Sequence, residues 1–237
     1  MSHEILNLKQ AAEHVHLDAN ELKHFAQRGE IAATARGDDW YFEHAALDEW
    51  AQRNLLAATP KELKDQHRTM MDEHRREHRE GWGVSDLFRI PAVDLAVAAK
   101  TKSGVIRDMT DLAEKSGLVY DVEGLFKELT AREEAASTAI GEGVALLHPR
   151  FHDPYMFEES FIAYGRSVRP IFFGAPDGEG TRHFFLVCST DHEMHLHMLA
   201  RLAILAHGTD LLERLAEVPS PEEAMRAIAD CESVYRR

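Results

Sequence analysis

Residues Arg132 to Arg150 read REEAASTAIGEGVALLHPR, and the fold of the larger part of the chain turns on them. A charged helix end is followed by a Ser-Thr turn, a Gly-x-Gly break and an apolar run that stops at a histidine. Gly141 and Gly143 permit backbone angles closed to other residues and allow close approach. Val144, Ala145, Leu146 and Leu147 are apolar without interruption, the pattern of a strand covered on both faces. His148 ends that strand. Pro149 has no N–H with which to continue a ladder. A histidine delivered to a strand end near an arginine is placed either as a structural residue or for proton or phosphoryl chemistry.

STAIGEGVALLHPR resembles the phosphorylation segment of enzyme IIA domains of the bacterial phosphotransferase system (PTS), of the mannitol/fructose and nitrogen-regulatory type. In that family the histidine ending this strand takes a phosphoryl group from a phosphocarrier, and His148 matches it. The family's active-site arginine opens the segment in an Arg-Glu pair, where Arg132 stands. Its second active-site histidine begins a His-Leu-x-x-Leu-Ala helix, here His195 in HLHMLARLA. The likeness runs from about Val84 to about Ser233. The family often has proline just before the histidine; here that residue is Leu147. His192 and His197 flank His195 but fall off the motif and read as surface or packing residues. Ser137 and Thr138 are weaker candidates for contacts to the site.

The remainder of this region alternates strands and helices. Asp86-Leu87 opens a short helix, and Val93, Leu95 and Val97 alternate as in a strand. Lys100 to Ser116 is amphipathic, with Val105, Ile106, Met109 and Leu112 inward and Gly117 as its stop. A helix is predicted over 122–134, strands over 162–164, 168–173 and 183–189, and helices over 193–206 and 221–232. This is an α/β domain with a mixed sheet flanked by helices, which the enzyme IIA resemblance also implies.

Upstream, Leu8 to Val15 reads as a helix with Asn7 as N-cap. Asp18 caps a second, Ala19 to Arg28, with Glu21 set for a capping-box-like pair and Gly29 as terminator. Ile31 to Phe42 reads as a hairpin with Gly37-Asp38 near its tip. Ala45 to Leu55 is helical again, with Leu47, Trp50 and Ala51 as its apolar positions. Helix, turn, helix, hairpin, helix is the plan of a winged helix-turn-helix. The AA of the first helix, the RGEI turn, the WYF exit and the closing LDEW resemble the excisionase/MerR-type DNA-binding fold. That resemblance implies DNA contacts by Asn20, Lys23, His24, Gln27 and Arg28 on the second helix and Arg36 on the wing.

Between the two lies a stretch rich in charges of both signs at i, i+4 spacing, introduced by Thr59-Pro60. It reads as an exposed helical linker. His67, His74 and His78 have helical spacing, but no cysteine or carboxylate cluster completes a metal site, so no metal and no cofactor are expected. Gly81-Trp82-Gly83 is the expected hinge. The boundaries are thus 1–56 for the helix-turn-helix domain, 57–83 for the linker and 84–237 for the IIA-like domain.

Composition sets limits. The formal charge is −14 over 237 residues. Residues 1–55 carry 5 Lys/Arg against 10 Asp/Glu, residues 56–85 carry 6 against 6, and residues 86–237 carry 16 against 25. No region is basic overall, which argues against strong non-specific attraction to nucleic acid. Two cysteines, Cys188 and Cys231, are too few for a disulfide framework. No apolar run is long enough for a membrane span, and the N-terminus lacks the apolar core of a signal peptide, so a cytoplasmic protein is expected.

Three readings follow. In the first, a PTS-linked regulator is phosphorylated on His148 and thereby controls its DNA-binding module. In the second, a phosphohistidine phosphotransferase passes the phosphoryl group onward, and the N-terminal module only docks. In the third, a binding protein has lost the chemistry. The partners implied are an HPr-like histidine phosphocarrier, DNA, and an enzyme IIB or other regulatory protein. A homodimer is expected if the module reads two half-sites.

Overall fold

The computed structural model describes residues 5–15, 17–37, 39–57, 83–150 and 155–235. All of the expected linker but its two end residues lies outside these, as do His67, His74, His78 and Asp38.

In the N-terminal domain, α1 (Leu8–His14) starts at Asn7, whose side chain accepts from the N–H of Gln10 while the Gln10 side chain returns to the N–H of Asn7. This capping box satisfies two N–H groups that the first turn leaves open. Asp18 caps α2 (Ala19–Gln27) through the N–H groups of Asn20 and Glu21. It does so alone, without a reciprocal bond from Glu21. Gly29 leaves the helix at φ +72°, a left-handed angle that costs glycine little. The hairpin is β2 (Ala33–Arg36) and β3 (Asp39–Glu43), and α3 (His44–Ala57) follows. One strand goes beyond the expectation. β1 (Ile5–Asn7) pairs antiparallel with β3, giving the order β1-β3-β2. Three residues are too short for alternation to reveal. Leu6, Ala11, Leu22, Ile31, Phe42, Leu47 and Trp50 close the core.

The second domain opens with a 3-10 turn, Val84–Leu87, and β4 (Phe88–Val97). Helices α4 (Lys102–Glu114) and α5 (Val122–Ala135) precede a hairpin of β5 (Ala139–Gly141) and β6 (Val144–Leu147). Then come β7 (Phe161–Ile171), β8 (Thr181–Cys188), α6 (His192–Gly208), α7 (Leu211–Glu217) and α8 (Pro221–Tyr235). The sheet order is β4-β7-β8-β6-β5. β4 runs parallel to β7, β8 parallel to β6, and the other pairs are antiparallel. Three expectations change. Residues 162–164 and 168–171 belong to one strand, β7, which crosses its polar interruption at Arg166 and Ser167, while Phe172 and Phe173 lie past its end. β5 and α7 were not anticipated, each being too short to show a period.

The alternation along β6 sorts the core. Val144 and Leu146 face a layer made by α6, α7 and α8, whereas Ala145 and Leu147 face α4 and α5. Between β5 and β6, Gly141, Glu142 and Gly143 all have positive φ, 95°, 51° and 76°. The Gly-x-Gly break is thus a turn that side chains with a Cβ adopt only under strain.

Candidate functional site

β6 and β8 run parallel and end side by side, so the residues just past them share one edge of the sheet. Such carboxyl ends of parallel strands are where open α/β sheets place ligands. His148 follows β6. Past β8, Asp191 caps α6 by accepting from the N–H of Met194 at 2.8 Å, and the first turn of α6 carries His195. The rings of His148 and His195 are 5.1 Å apart, edge to face. From the other side of the sheet the last turn of α5 carries Arg132, whose Nε donates to Nε2 of His148 at 2.9 Å. The three residues singled out in the sequence are therefore brought together.

The hydrogen bonds define a protonation state. Arg132 has only donors, so Nε2 of His148 receives and carries no proton. Nδ1 then holds the proton and donates it to the carbonyl of Leu146 at 2.8 Å. The imidazole is neutral, with the Nε2 lone pair directed at the guanidinium. Arg132 is fixed by a second bond, Nη1 to the carbonyl of Ala136 at 2.8 Å, which also caps α5. Burial pulls the Arg132 guanidinium below its ordinary pKa, and Glu133 and Glu49 oppose this.

The sequence reading did not single out Glu133. Its carboxylate accepts from the N–H of Thr138 at 2.9 Å, from Oγ1 of Thr138 at 2.6 Å and from Nζ of Lys102 at 2.7 Å. It thereby ties the end of α5 to the start of β5. Thr138 is engaged there, and Ser137 donates to the carbonyl of Phe173 at 2.8 Å. Both hydroxyls are turned to the scaffold instead of His148. His197 is packed at 8% exposure. The side chain of His192 lies outside the described residues. Cys188 is wholly buried.

His148 and His195 have no exposed surface, and Arg132 has 4%. Part of that cover comes from the N-terminal domain. Gln52 of α3, itself 1% exposed, places Oε1 3.1 Å from Nε2 of His148. Its amide identity carries no sequence signal for such a role, so only the tertiary structure reveals it.

In the N-terminal domain Asn20, His24 and Gln27 lie exposed on α2, Lys23 is half-buried there, Arg28 is exposed at the C-cap of that helix, and Arg36 is exposed on β2. Arg28 is committed within the domain, its Nε donating to Glu30 at 2.5 Å over the face of Phe25. Arg36 stacks on Tyr41. Elsewhere Asp48 accepts from His14 at 2.6 Å and lies 3.2 Å from His44, joining α1 to α3. These three groups, with their ligand atoms all within 4.8 Å, are the one metal-capable cluster found among the described residues. It includes none of His67, His74 and His78, which lie outside the described residues.

A buried His-Arg pair at the carboxyl ends of parallel strands, beside a helix N-terminus, in a mixed α/β domain joined to a helix-turn-helix, defines the class. Residues 86–231 match the model of the family "Phosphoenolpyruvate-dependent sugar phosphotransferase system, EIIA 2", and residues 5–55 match a helix-turn-helix domain model. The chain belongs to the EIIA 2 family and carries an N-terminal helix-turn-helix domain. The fructose-specific EIIABC component of Bacillus subtilis is 27% identical over 141 residues, which are 59% of this chain but only 22% of that longer protein. The nitrogen regulatory protein of Pseudomonas aeruginosa is 27% identical over 139 residues, 58% of this chain and 88% of its own length. The fold matches the nitrogen regulatory protein IIA-Ntr of Neisseria meningitidis at a TM-score of 0.56 and 24% identity, over 61% of this chain and 98% of that one. It also matches the Escherichia coli mannitol enzyme IIA, solved in complex with phosphorylated enzyme IIB, at 0.52 and 20%, over 61% of this chain and 99% of that one. Among the described residues, no helix is long and apolar enough to cross a membrane.

Proposed function

We propose that this chain is a PTS-linked regulator whose His148 accepts a phosphoryl group from an HPr-like histidine phosphocarrier, and whose phosphorylation state sets DNA binding by the N-terminal module. The observation that carries the reading is the Arg132–His148 bond together with the Leu146 carbonyl on Nδ1, which leaves a neutral imidazole with a nucleophilic Nε2.

The transfer balances as follows. The Nε2 lone pair, released as the Arg132 N–H turns to the incoming phosphoryl oxygens, attacks phosphorus on the donor's phosphoimidazolium. The donor's P–N bond breaks and its electron pair stays on the donor nitrogen, which leaves as neutral imidazole. His148 becomes the phosphoimidazolium, keeping the Nδ1 proton on the Leu146 carbonyl. Arg132 supplies charged donors to the transferring oxygens. The N-terminus of α6 adds partial positive charge, and His195 steadies the phosphoryl group.

The helix-turn-helix match and the exposed face of α2 support DNA as the partner of the other domain. Asn20, His24, Gln27 and Lys23 are the groups offered to base edges and phosphates, with Arg36 on the wing. Arg28 can contribute only by leaving Glu30. The second reading, a phosphocarrier handing its phosphoryl group to an enzyme IIB, is favoured by the mannitol enzyme IIA complex with phosphorylated IIB. The cytoplasm is the compartment that a phosphoenolpyruvate-driven relay implies.

The test is a reconstituted relay of phosphoenolpyruvate, enzyme I and phosphocarrier, read by intact mass for an acid-labile phosphoryl group. Label on the wild type and none on His148→Ala is the expected result. A random-site duplex selection with phosphorylated and unphosphorylated full chain then tests control. Absence of label with the relay refutes the phosphoryl reading. Equal duplex binding in both states refutes the regulator in favour of the carrier.

A further inference from the structure

The phosphoryl reading leaves one contact unused. α3 belongs to the N-terminal domain, yet its C-terminal half faces the IIA-like domain. Leu47 and Trp50 turn inward to their own core. Ala51 packs on both the N-terminal core and the layer that α6 builds on the sheet. Glu49 lies 3.6 Å from Arg150, just beyond His148. Gln52 reaches the histidine itself.

The amide of Gln52 is informative in detail. With Nε2 of His148 receiving from Arg132, that nitrogen has no proton for Oε1. The other end of the amide, Nε2 of Gln52, is buried with no hydrogen-bond partner among the described residues. Turning the amide end for end, a rotation that does not alter its shape, brings its N–H towards Nε2, where it shares with Arg132 the one lone pair of that nitrogen. In either orientation a heavy atom of Gln52 stands at hydrogen-bond distance on the lone-pair side of Nε2. A phosphorus bonded to Nε2 sits closer than any hydrogen-bonded atom, and its oxygens extend into the place the amide holds.

We propose that α3 is a latch on the phosphorylation site: Gln52 seated on His148 and a phosphoryl group on His148 exclude one another, so the N-terminal domain and an incoming phosphocarrier compete for the same face of the IIA-like domain. This rests on the reading of His148 as the phosphoryl acceptor. The excluded group is a phosphohistidine carrier, whose phosphorus must come in line with Nε2. Charge works in the same direction. A phosphoryl group brings about −1.5 to −2 charges next to Glu49, which α3 carries at the edge of the site, so phosphorylation expels the helix as well as replacing it. The coupling is reciprocal. Whatever engages the released N-terminal module raises phosphorylation of His148 by the factor by which phosphorylation raises that engagement.

The experiment uses the full chain with two substitutions of opposite sign. Gln52→Ala removes the seated amide and unlatches α3. Gln52→Glu puts a carboxylate against Nε2 and Arg132, which holds the imidazole as a protonated donor in a charge-assisted bond and tightens the latch. Each is read twice: by diethyl pyrocarbonate modification of His148, located by peptide mass spectrometry, and by the rate of phosphorylation in the reconstituted relay. One neutral hydrogen bond shifts the latched and open populations by about three- to ten-fold. Gln52→Ala is therefore expected to raise both rates by that factor, and Gln52→Glu to lower both by about ten-fold. The melting temperature of each variant shows that both fold, and opposite shifts cannot both come from damage. If His148 in the wild type is modified as fast as an exposed histidine, and neither substitution changes either rate, the latch is refuted while the phosphoryl reading stands. If the modification rates shift as expected but no variant takes up phosphate, the cover is real and the phosphoryl reading falls.

Discussion

Replacing Arg132 by alanine separates its two duties. The guanidinium is 4% exposed. One N–H is spent on Nε2 of His148 at 2.9 Å and one on the carbonyl of Ala136 at 2.8 Å. The second bond is structural: without it a carbonyl at the end of α5 loses its partner, at a cost of about 1–3 kcal/mol of stability. In the proposed transfer the first places charge where the transferring oxygens gather. Loss of one such preorganised donor costs about 100- to 1000-fold in rate, roughly 3–4 kcal/mol. Arg132→Ala is thus expected to slow single-turnover transfer from phosphocarrier to His148 by at least about 100-fold while lowering the melting temperature only moderately. Arg132→Lys keeps the charge but cannot span both acceptors with one planar fork, and is expected to fall between, near ten-fold. Rapid-quench transfer from labelled phosphocarrier, with urea melts in parallel, measures both. A folded Arg132→Ala that is phosphorylated within about three-fold of the wild-type rate would refute the role of the guanidinium. The histidine would then have to act on its own tautomer and the α6 N-terminus alone.

Glu232 predicts a pH-dependent anchor. It accepts from the N–H groups of Val84 and Ser85, Oγ of Ser85 and Nε of Arg201. Burial raises its pKa, but the Ser85 and Arg201 bonds outweigh that and hold it below the ordinary carboxylate value. A depressed acid stabilises above its unfolded pKa and loses that contribution as the pH falls through the folded one. Glu232→Gln is therefore expected to cost roughly 3 kcal/mol at neutral pH, with the gap in urea midpoints shrinking below about pH 4. His183 is held neutral by burial, with Arg182 and Arg166 near, at a pKa of about 4, and Nδ1 lies 2.8 Å from the hydroxyl of Tyr164. The unfolded chain binds that proton sooner, so the residue's contribution is complete above about pH 6.5. About 3 kcal/mol is lost as the pH falls to 4, a slope that His183→Gln should remove from urea titrations. Gly165→Ala would set a methyl 2.5 Å from Sδ of Met109 and 2.8 Å from Cγ2 of Val97. It should cost about 1–3 kcal/mol in a urea melt as an overpacked core.

The local grammar of this chain is written in its residues. Asn7 and Asp18 fix where α1 and α2 begin because their oxygens meet N–H groups two or three residues on. Gly141 and Gly143 fix the turn before β6 because the turn demands positive φ. Val144 to Leu147 is apolar throughout because both faces of β6 are covered. His148, Arg132 and His195 were legible as one site from family motifs, and the parallel ends of β6 and β8 supply the physical reason that residues 16 and 47 positions from His148 meet on it.

What the sequence leaves undetermined depends on contacts distant along the chain. β1 is three residues long and is a strand only because β3 lies beside it. Strand β7 continues through Arg166 because that guanidinium donates to the carbonyls of Leu95, Leu215, Ala216 and Val218, partners that no local pattern names. Glu133 reads as one more acid on a charged helix end until Thr138 and Lys102 close around it. Gln52 reads as a polar residue on the outer face of α3, because helical periodicity reports only that the residue faces away from its own core. That the outer face lies against His148, 96 residues away, is decided when the two domains pack, and with it whether His148 is open or covered.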